Sequence, residues 1–164
     1  SEGRRIASPG FDISWALKSY SGIAGTDARA NDGIFHRFFT VRVTDVVDGA
    51  SNTVMIGERP PGPQGFWGAW YARWGHSVCP LNQIQSASGY EPLPTEATSC
   101  LPGFQPLAPG RIDSYCDVVH FWSLHRGGAN FTFADGSVRF LTFGASSILP
   151  LLATRAGGEL LPPF

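Results

Sequence analysis

Between residues 123 and 140 the chain reads SLHRGGANFTFADGSVRF, which places Ser123, His125 and Asp135, the side-chain types of a hydrolase triad, close together. A nucleophilic serine needs a base within hydrogen-bond reach and a sharp, exposed turn to present it. No Gly-x-Ser-x-Gly elbow occurs. Ser123 lies instead in a strand-like run, two residues before His125. Side chains two apart on a strand share a face, which permits a Ser–His hydrogen bond and nothing further. Asp135 is already explained by the turn that Asp135-Gly136 would make. The pattern names no catalytic residue.

Metal binding would draw on His120, His125, Asp117 and Asp135, with Asp45, Asp48 and Glu58 as further carboxylates. Calcium takes several carboxylate and carbonyl oxygens, and no acid-dense loop of that kind appears. A transition metal wants histidines at fixed spacing, and His120 and His125 are not a helical pair if their run is a strand. The three cysteines, Cys79, Cys100 and Cys116, form no Cys-x-x-Cys and no zinc-finger spacing with a histidine. They allow at most one internal disulfide, or three buried thiols. Gly127-Gly128 lacks the lysine and following helix of a phosphate loop. No metal and no cofactor are therefore expected. Trp67, Trp70, Tyr71 and Trp74 admit two uses: packing in a core or subunit contact, or a flat platform for a sugar or other ligand.

Positioning these residues is the work of short β elements. Asp135-Gly136 between alternating apolar runs predicts a hairpin, with strands near 129–134 and 137–142 and a type I′ turn. In that register Phe131 and Phe133 face Val138 and Phe140. Residues 34–43 are β-branched and aromatic and read as a strand; so do 54–58, 66–74 and 116–122. Residues 44–49 read as one helical turn, with Thr44 as its cap and Gly49 as its end. A short helix is expected over 147–155, capped by Ser147, with Pro150 in its first turn and Gly157-Gly158 beyond its end. From about 75 to 114 the chain is rich in Pro, Ser and Gly, and it reads as a loop-rich excursion. The expected architecture is one α+β domain over 1–164, mainly antiparallel sheet with short helices.

Composition narrows the partners. Of the 164 residues only 15% are charged, against roughly 25% in a typical domain, and the formal net charge is −1. Arginines are scattered and Lys18 is the only lysine, so no basic patch points to nucleic acid. No run approaches the length of a membrane span. The opening SEGRRIASPG carries no signal-peptide pattern and reads as the start of a mature or truncated ectodomain.

Several stretches together resemble a large bacterial family of unknown function, abundant in planctomycetes. His125, nine residues, then Asp135-Gly136 matches its H-x9-D-G signature. FHRFFTVRVTDVVDGASNTVMIGERPP, HFWSLHRGGANFTFADGSVRFL and ATRAGGE resemble its other blocks in the expected order, over about residues 18–75 and 114–159. Family members resemble type IV pilins and pseudopilins, with a prepilin-like N-terminal helix as spine and membrane anchor and a β-rich C-terminal domain. That helix does not occur in this stretch, so a membrane would be reached only through it. The resemblance implies a structural role at the cell surface or outside the cell, self-assembly or assembly with related subunits, and no enzymatic activity. It transfers architectural residues: Asp48, Gly49, Ser51, Asn52, Thr53 and Glu58 from the first block, and His125, Gly127, Gly128, Asn130, Asp135 and Gly136 from the signature. His125 is expected to hold the incoming strand by bonding to neighbouring backbone. An exported location makes oxidation plausible, and a Cys100–Cys116 disulfide would then pin the loosest part of the chain, leaving Cys79 over. The alternative to assembly is an extracellular carbohydrate-binding module built on Trp67, Trp70, Tyr71 and Trp74.

Overall fold

The computed structural model describes residues 5–8, 11–14, 17–26, 30, 32–35, 40–63, 68, 78–79, 95–100 and 105–162. Seven strands lie among them: β1 (Arg5–Ser8), β2 (Phe11–Ser14), β3 (Tyr20–Ile23), β4 (Val54–Glu58), β5 (Val78–Cys79), β6 (Gly128–Phe133) and β7 (Val138–Thr142). β1 and β2 pair antiparallel as a separate two-stranded ribbon. The other five form one sheet in the order β5-β3-β4-β6-β7. Only the β3–β5 pairing is parallel; β3–β4, β4–β6 and β6–β7 are antiparallel. Helices are short: α1 (Thr95–Thr98), α2 (Leu149–Ala153) and 3-10 helices at Val43–Asp45, Tyr115–Val119 and Phe143–Ser147. This is an α+β domain dominated by antiparallel sheet.

One face of the sheet carries the core. Ile23, Val54, Phe121, Phe131, Phe133, Leu141, Leu149 and Leu152 are buried together there. Strand alternation supplies this set, with Ala129, Phe131 and Phe133 inward and Asn130 and Thr132 outward along β6. α2 covers the inner face with Leu149 and Leu152, and Pro150 sits in its first turn where no intrahelical N–H is needed. At Gly57 a Cβ would lie 2.6 Å from the Phe131 ring and 2.7 Å from Phe121, so only a glycine lets those two rings meet across β4. A smaller cluster of Ala97, Val118 and Val119 joins α1 to the Tyr115–Val119 helix. There Cys100 and Cys116 form a disulfide, with Cα atoms 5.4 Å apart.

The hairpin forms where Asp-Gly predicts it, but its turn is different. Gly136 N–H donates to the Phe133 carbonyl at 3.0 Å and Phe133 N–H to the Ser137 carbonyl at 2.9 Å. Gly136 has φ +85°, and the two bonds leave three residues between the closing pair Phe133 and Ser137, one more than a type I′ turn holds. This is the three-residue loop Ala134-Asp135-Gly136 with a G1 bulge. The extra loop residue slides the register by one, so Phe131 pairs with Arg139 and Asn130 with Phe140. A one-residue slip moves a whole strand to its other face. Val138 and Phe140 therefore point to solvent, and Leu141 takes the core position.

Three other expectations shift. Ile34, Phe35 and 40–43 are not strand, and Val43 opens a 3-10 helix whose N-terminus is closed by Asp45, not Thr44: its carboxylate accepts the Arg42 N–H at 2.8 Å. Residues 36–39 lie outside the described residues. The run 116–122 is a 3-10 helix and a single bridge from Phe121 to Leu107, because Val118 and Val119 are buried together towards α1, which an alternating strand could not do. Ser147 ends a 3-10 helix, and Ile148 occupies the cap position of α2.

Candidate functional site

Two buried or half-buried carboxylates, one from each end of the first sequence block, gather the remaining motif residues. Glu58 closes β4, and outward alternation places its side chain beside β6 and β3. Its Oε2 accepts the Asn130 backbone N–H at 2.6 Å and the Asn130 side-chain amide at 3.2 Å. Its Oε1 accepts the Tyr20 hydroxyl at 3.2 Å and faces His125 Nε2 at 3.4 Å. Three donors thus converge on one buried carboxylate, with the His125 ring beside them, which is what keeps such a charge tolerable away from water. Burial first, then the Glu58 charge and hydrogen bond, push the Tyr20 phenol above its usual range. The Asn130 amide nitrogen, part of an Asn-Phe-Thr sequon, is held inside the sheet by this carboxylate.

His125 sits at the mouth of that site. Its imidazole is 58% exposed and stands edge-on to Phe140, with ring centroids 6.5 Å apart. It turns to the Glu58 carboxylate, not to neighbouring backbone as its place beside Gly127-Gly128 suggests. The loop is instead held by Ser123, whose hydroxyl donates to the Gly128 carbonyl at 2.7 Å and accepts the His125 backbone N–H at 2.9 Å. Ser123 meets the backbone of His125 and not its ring. Gly127 has φ +86°, which turns the chain into β6. Sequence reasoning weighed Ser123 only as a nucleophile; a serine two residues ahead of a tight turn was the available sign of a loop cap.

Asp48 organises the other end. Its Oδ2 accepts the Gly157 N–H at 2.7 Å and its Oδ1 the Gly158 N–H at 2.9 Å. The Thr154 hydroxyl stands 3.3 Å from the same carboxylate and 3.1 Å from Glu159. Asp48 N–H donates to the Arg155 carbonyl at 3.2 Å. Around it, Asn52 donates to the Asp48 carbonyl, Thr53 to the Gly49 carbonyl, and Gly49 turns the chain at φ +97°. The same loop receives the hairpin tip: Ala134 N–H donates to the Thr53 carbonyl at 2.9 Å and Asp135 N–H to the Ala50 carbonyl at 3.0 Å. Thus DGASNT, ADG and ATRAGGE, far apart in sequence, lock together. Arg155, whose guanidinium reaches the Gly33 carbonyl at 2.8 Å, and Thr154 had not been singled out, although both stand in the ATRAGGE block.

The other candidates do not meet. His120 lies 3.7 Å from Asp117 and is buried; burial, then nearby Arg59, lower its pKa against the opposing pull of Asp117 and the Pro109 carbonyl. Arg59 donates to the Val118 carbonyl. Asp135 bonds the Ser137 N–H at 2.8 Å and stands 4.0 Å from Arg139. His120, His125 and Asp135 thus occupy three separate places, and among the described residues no three His, Cys, Asp or Glu side chains are grouped to hold a metal. Trp67, Trp70, Tyr71 and Trp74 lie outside the described residues. Among the described residues no helix is long and apolar enough to cross a membrane.

Compared with known proteins, residues 6–144 match a protein family described as "Protein of unknown function (DUF1559)". No curated protein and no solved structure matches the chain.

Proposed function

The chain belongs to the DUF1559 family, and from that membership we propose that it is a structural, pilin- or pseudopilin-like subunit of an extracellular filament or secretion apparatus. The observation that carries this reading is the use made of the motif residues. Glu58, Asn130 and Tyr20 tie β3, β4 and β6 together, and Asp48 ties the 48–53 loop to the C-terminal segment. These side chains bond other parts of the same chain, which supports a structural use for them. A Cys100–Cys116 disulfide is compatible with an exported location, because such bonds persist in oxidising compartments. His125 is assigned no catalytic role.

Immunogold electron microscopy of native cell-surface material tests the proposal. Ordered fibres or envelope-spanning assemblies decorated along their length by antibody to this chain are expected. Label confined to the cell interior, or dispersed on the surface without ordered structures, would overturn it. Specific retention of the purified protein on a glycan array, abolished by substituting Trp67 and Trp70, would transfer the reading to the carbohydrate-binding alternative.

A further inference from the structure

We propose that an internal water molecule is bound between Asp117 and His120, where it completes a clasp on the Pro109-Gly110-Arg111 loop. The two side chains stand three residues apart, one 3-10 turn, at the end of the Tyr115–Val119 helix. They hold the loop from both ends. Asp117 Oδ2 accepts the Arg111 backbone N–H at 2.9 Å, and His120 bonds the Pro109 carbonyl. Between those ends Gly110 lies against the Trp122 indole, so closely that only a glycine leaves room.

The clasp lacks a donor at its centre. Proline has no N–H, so the His120 nitrogen that meets Pro109 must donate. Nε2 is buried and has no partner, which makes Nδ1 the donor and leaves a lone pair on Nε2 of the neutral ring. Burial and the nearby Arg59 charge favour that neutral form. Nε2 then faces Asp117 Oδ1 at 3.7 Å, acceptor against acceptor. The separation is too long for a direct hydrogen bond and short enough for one water to bond both.

Trp122 is a second, independent sign. His120 has extended backbone, φ −133° and ψ 169°, and side chains two apart on such a stretch share a side. The Trp122 indole is fully buried, and its N–H, which can only donate, also has no partner. A buried water makes about three hydrogen bonds. Its two hydrogens satisfy Nε2 and Oδ1, and its oxygen is the acceptor that the indole lacks. Arg59, which already opposes a proton on His120, opposes a cation there as well. Among the described residues no third His, Cys, Asp or Glu joins Asp117 and His120 to hold a metal.

A crystal structure at a resolution that places waters, with long-range proton–nitrogen spectra of the His120 ring at neutral pH, tests it. Expected are a water within hydrogen-bond distance of both Nε2 and Oδ1, and a ring hydrogen on Nδ1 alone. Asp117→Asn should lose that water. The Arg111 N–H keeps the amide oxygen where Oδ2 stands, so the new NH2 faces Nε2 and donates to it directly. A hydrogen on Nε2 at neutral pH overturns the proposal. So does another side chain of this chain donating to Nε2, a pair with nothing between its members, or a water retained in Asp117→Asn. If Asp117→Asn fails to fold, the structure and spectra of the parent decide alone.

Discussion

Replacing Glu58 tests what the two sequence blocks have in common. Glu58→Leu leaves the Asn130 N–H and amide without their acceptor, and the Tyr20 hydroxyl as well. Loss of a buried acceptor of this kind costs about 1–3 kcal/mol, to be read as a lower urea midpoint at unchanged slope. Glu58→Gln keeps an acceptor oxygen and should lose less. His125 belongs to the same site but lies mostly in water, where an ion pair contributes little. His125→Gln is therefore expected to shift stability by no more than about 0.5 kcal/mol. If it matched Glu58→Leu, the imidazole would be the keystone and the carboxylate its accessory. His120 makes a pH prediction. Its folded pKa is lowered, so below its ordinary 6.5 the unfolded chain takes up a proton that the folded chain refuses. Stability is then full above that value and falls as pH drops beneath it. Thermal melts should show this slope, and His120→Gln should flatten it; an identical slope in the variant would remove His120 as its source.

At the scale of elements, the hairpin and the disulfide carry separate loads. Gly136 occupies the left-handed position of a G1-bulge loop, where a β-branched residue is strained, so Gly136→Val should cost about 1–2 kcal/mol. Gly136→Asn, which tolerates that region better, should recover part of the loss in the same melts. The Cys100–Cys116 bond spans 16 positions and joins α1 to the Tyr115–Val119 helix. In the chain-entropy model its removal lowers stability by about 3 kcal/mol. A Cys100→Ser, Cys116→Ser double variant with the parent's midpoint would show that the loop it closes is held by other contacts. Of these elements, β4, β6, β7 and α2 were legible because period-two alternation, Asp-Gly and an early proline act within a few residues of each other. The turn type was not: a two-residue and a three-residue loop use the same Asp-Gly. Docking of the tip on Thr53 and Ala50 accompanies the longer one. Nor was the helical form of Tyr115–Val119 legible, since a run of apolar residues fits a strand or a buried helix equally.

For the whole molecule, Asp48 is the joint between the first block and the C-terminal segment. Asp48→Ala leaves the Gly157 and Gly158 N–H groups to water and should lower stability by about 1–2 kcal/mol, as loss of charge-assisted hydrogen bonds does. Amide exchange at those two glycines should accelerate while the β6 amides stay protected; uniform acceleration would mean that the joint supports the entire sheet. The sequence by itself determined the class of fold and the hairpin's location. Those follow from local alternation, glycine conformations and residue type, which act over short stretches of chain. Tertiary structure alone decided that Glu58 meets Asn130 and His125, that Asp48 meets Gly157 and Gly158, and that Val138 and Phe140 face outward. Each depends on a strand register or on a contact between distant segments. A single residue of slip, invisible in local pattern, reverses which side chains enter the core.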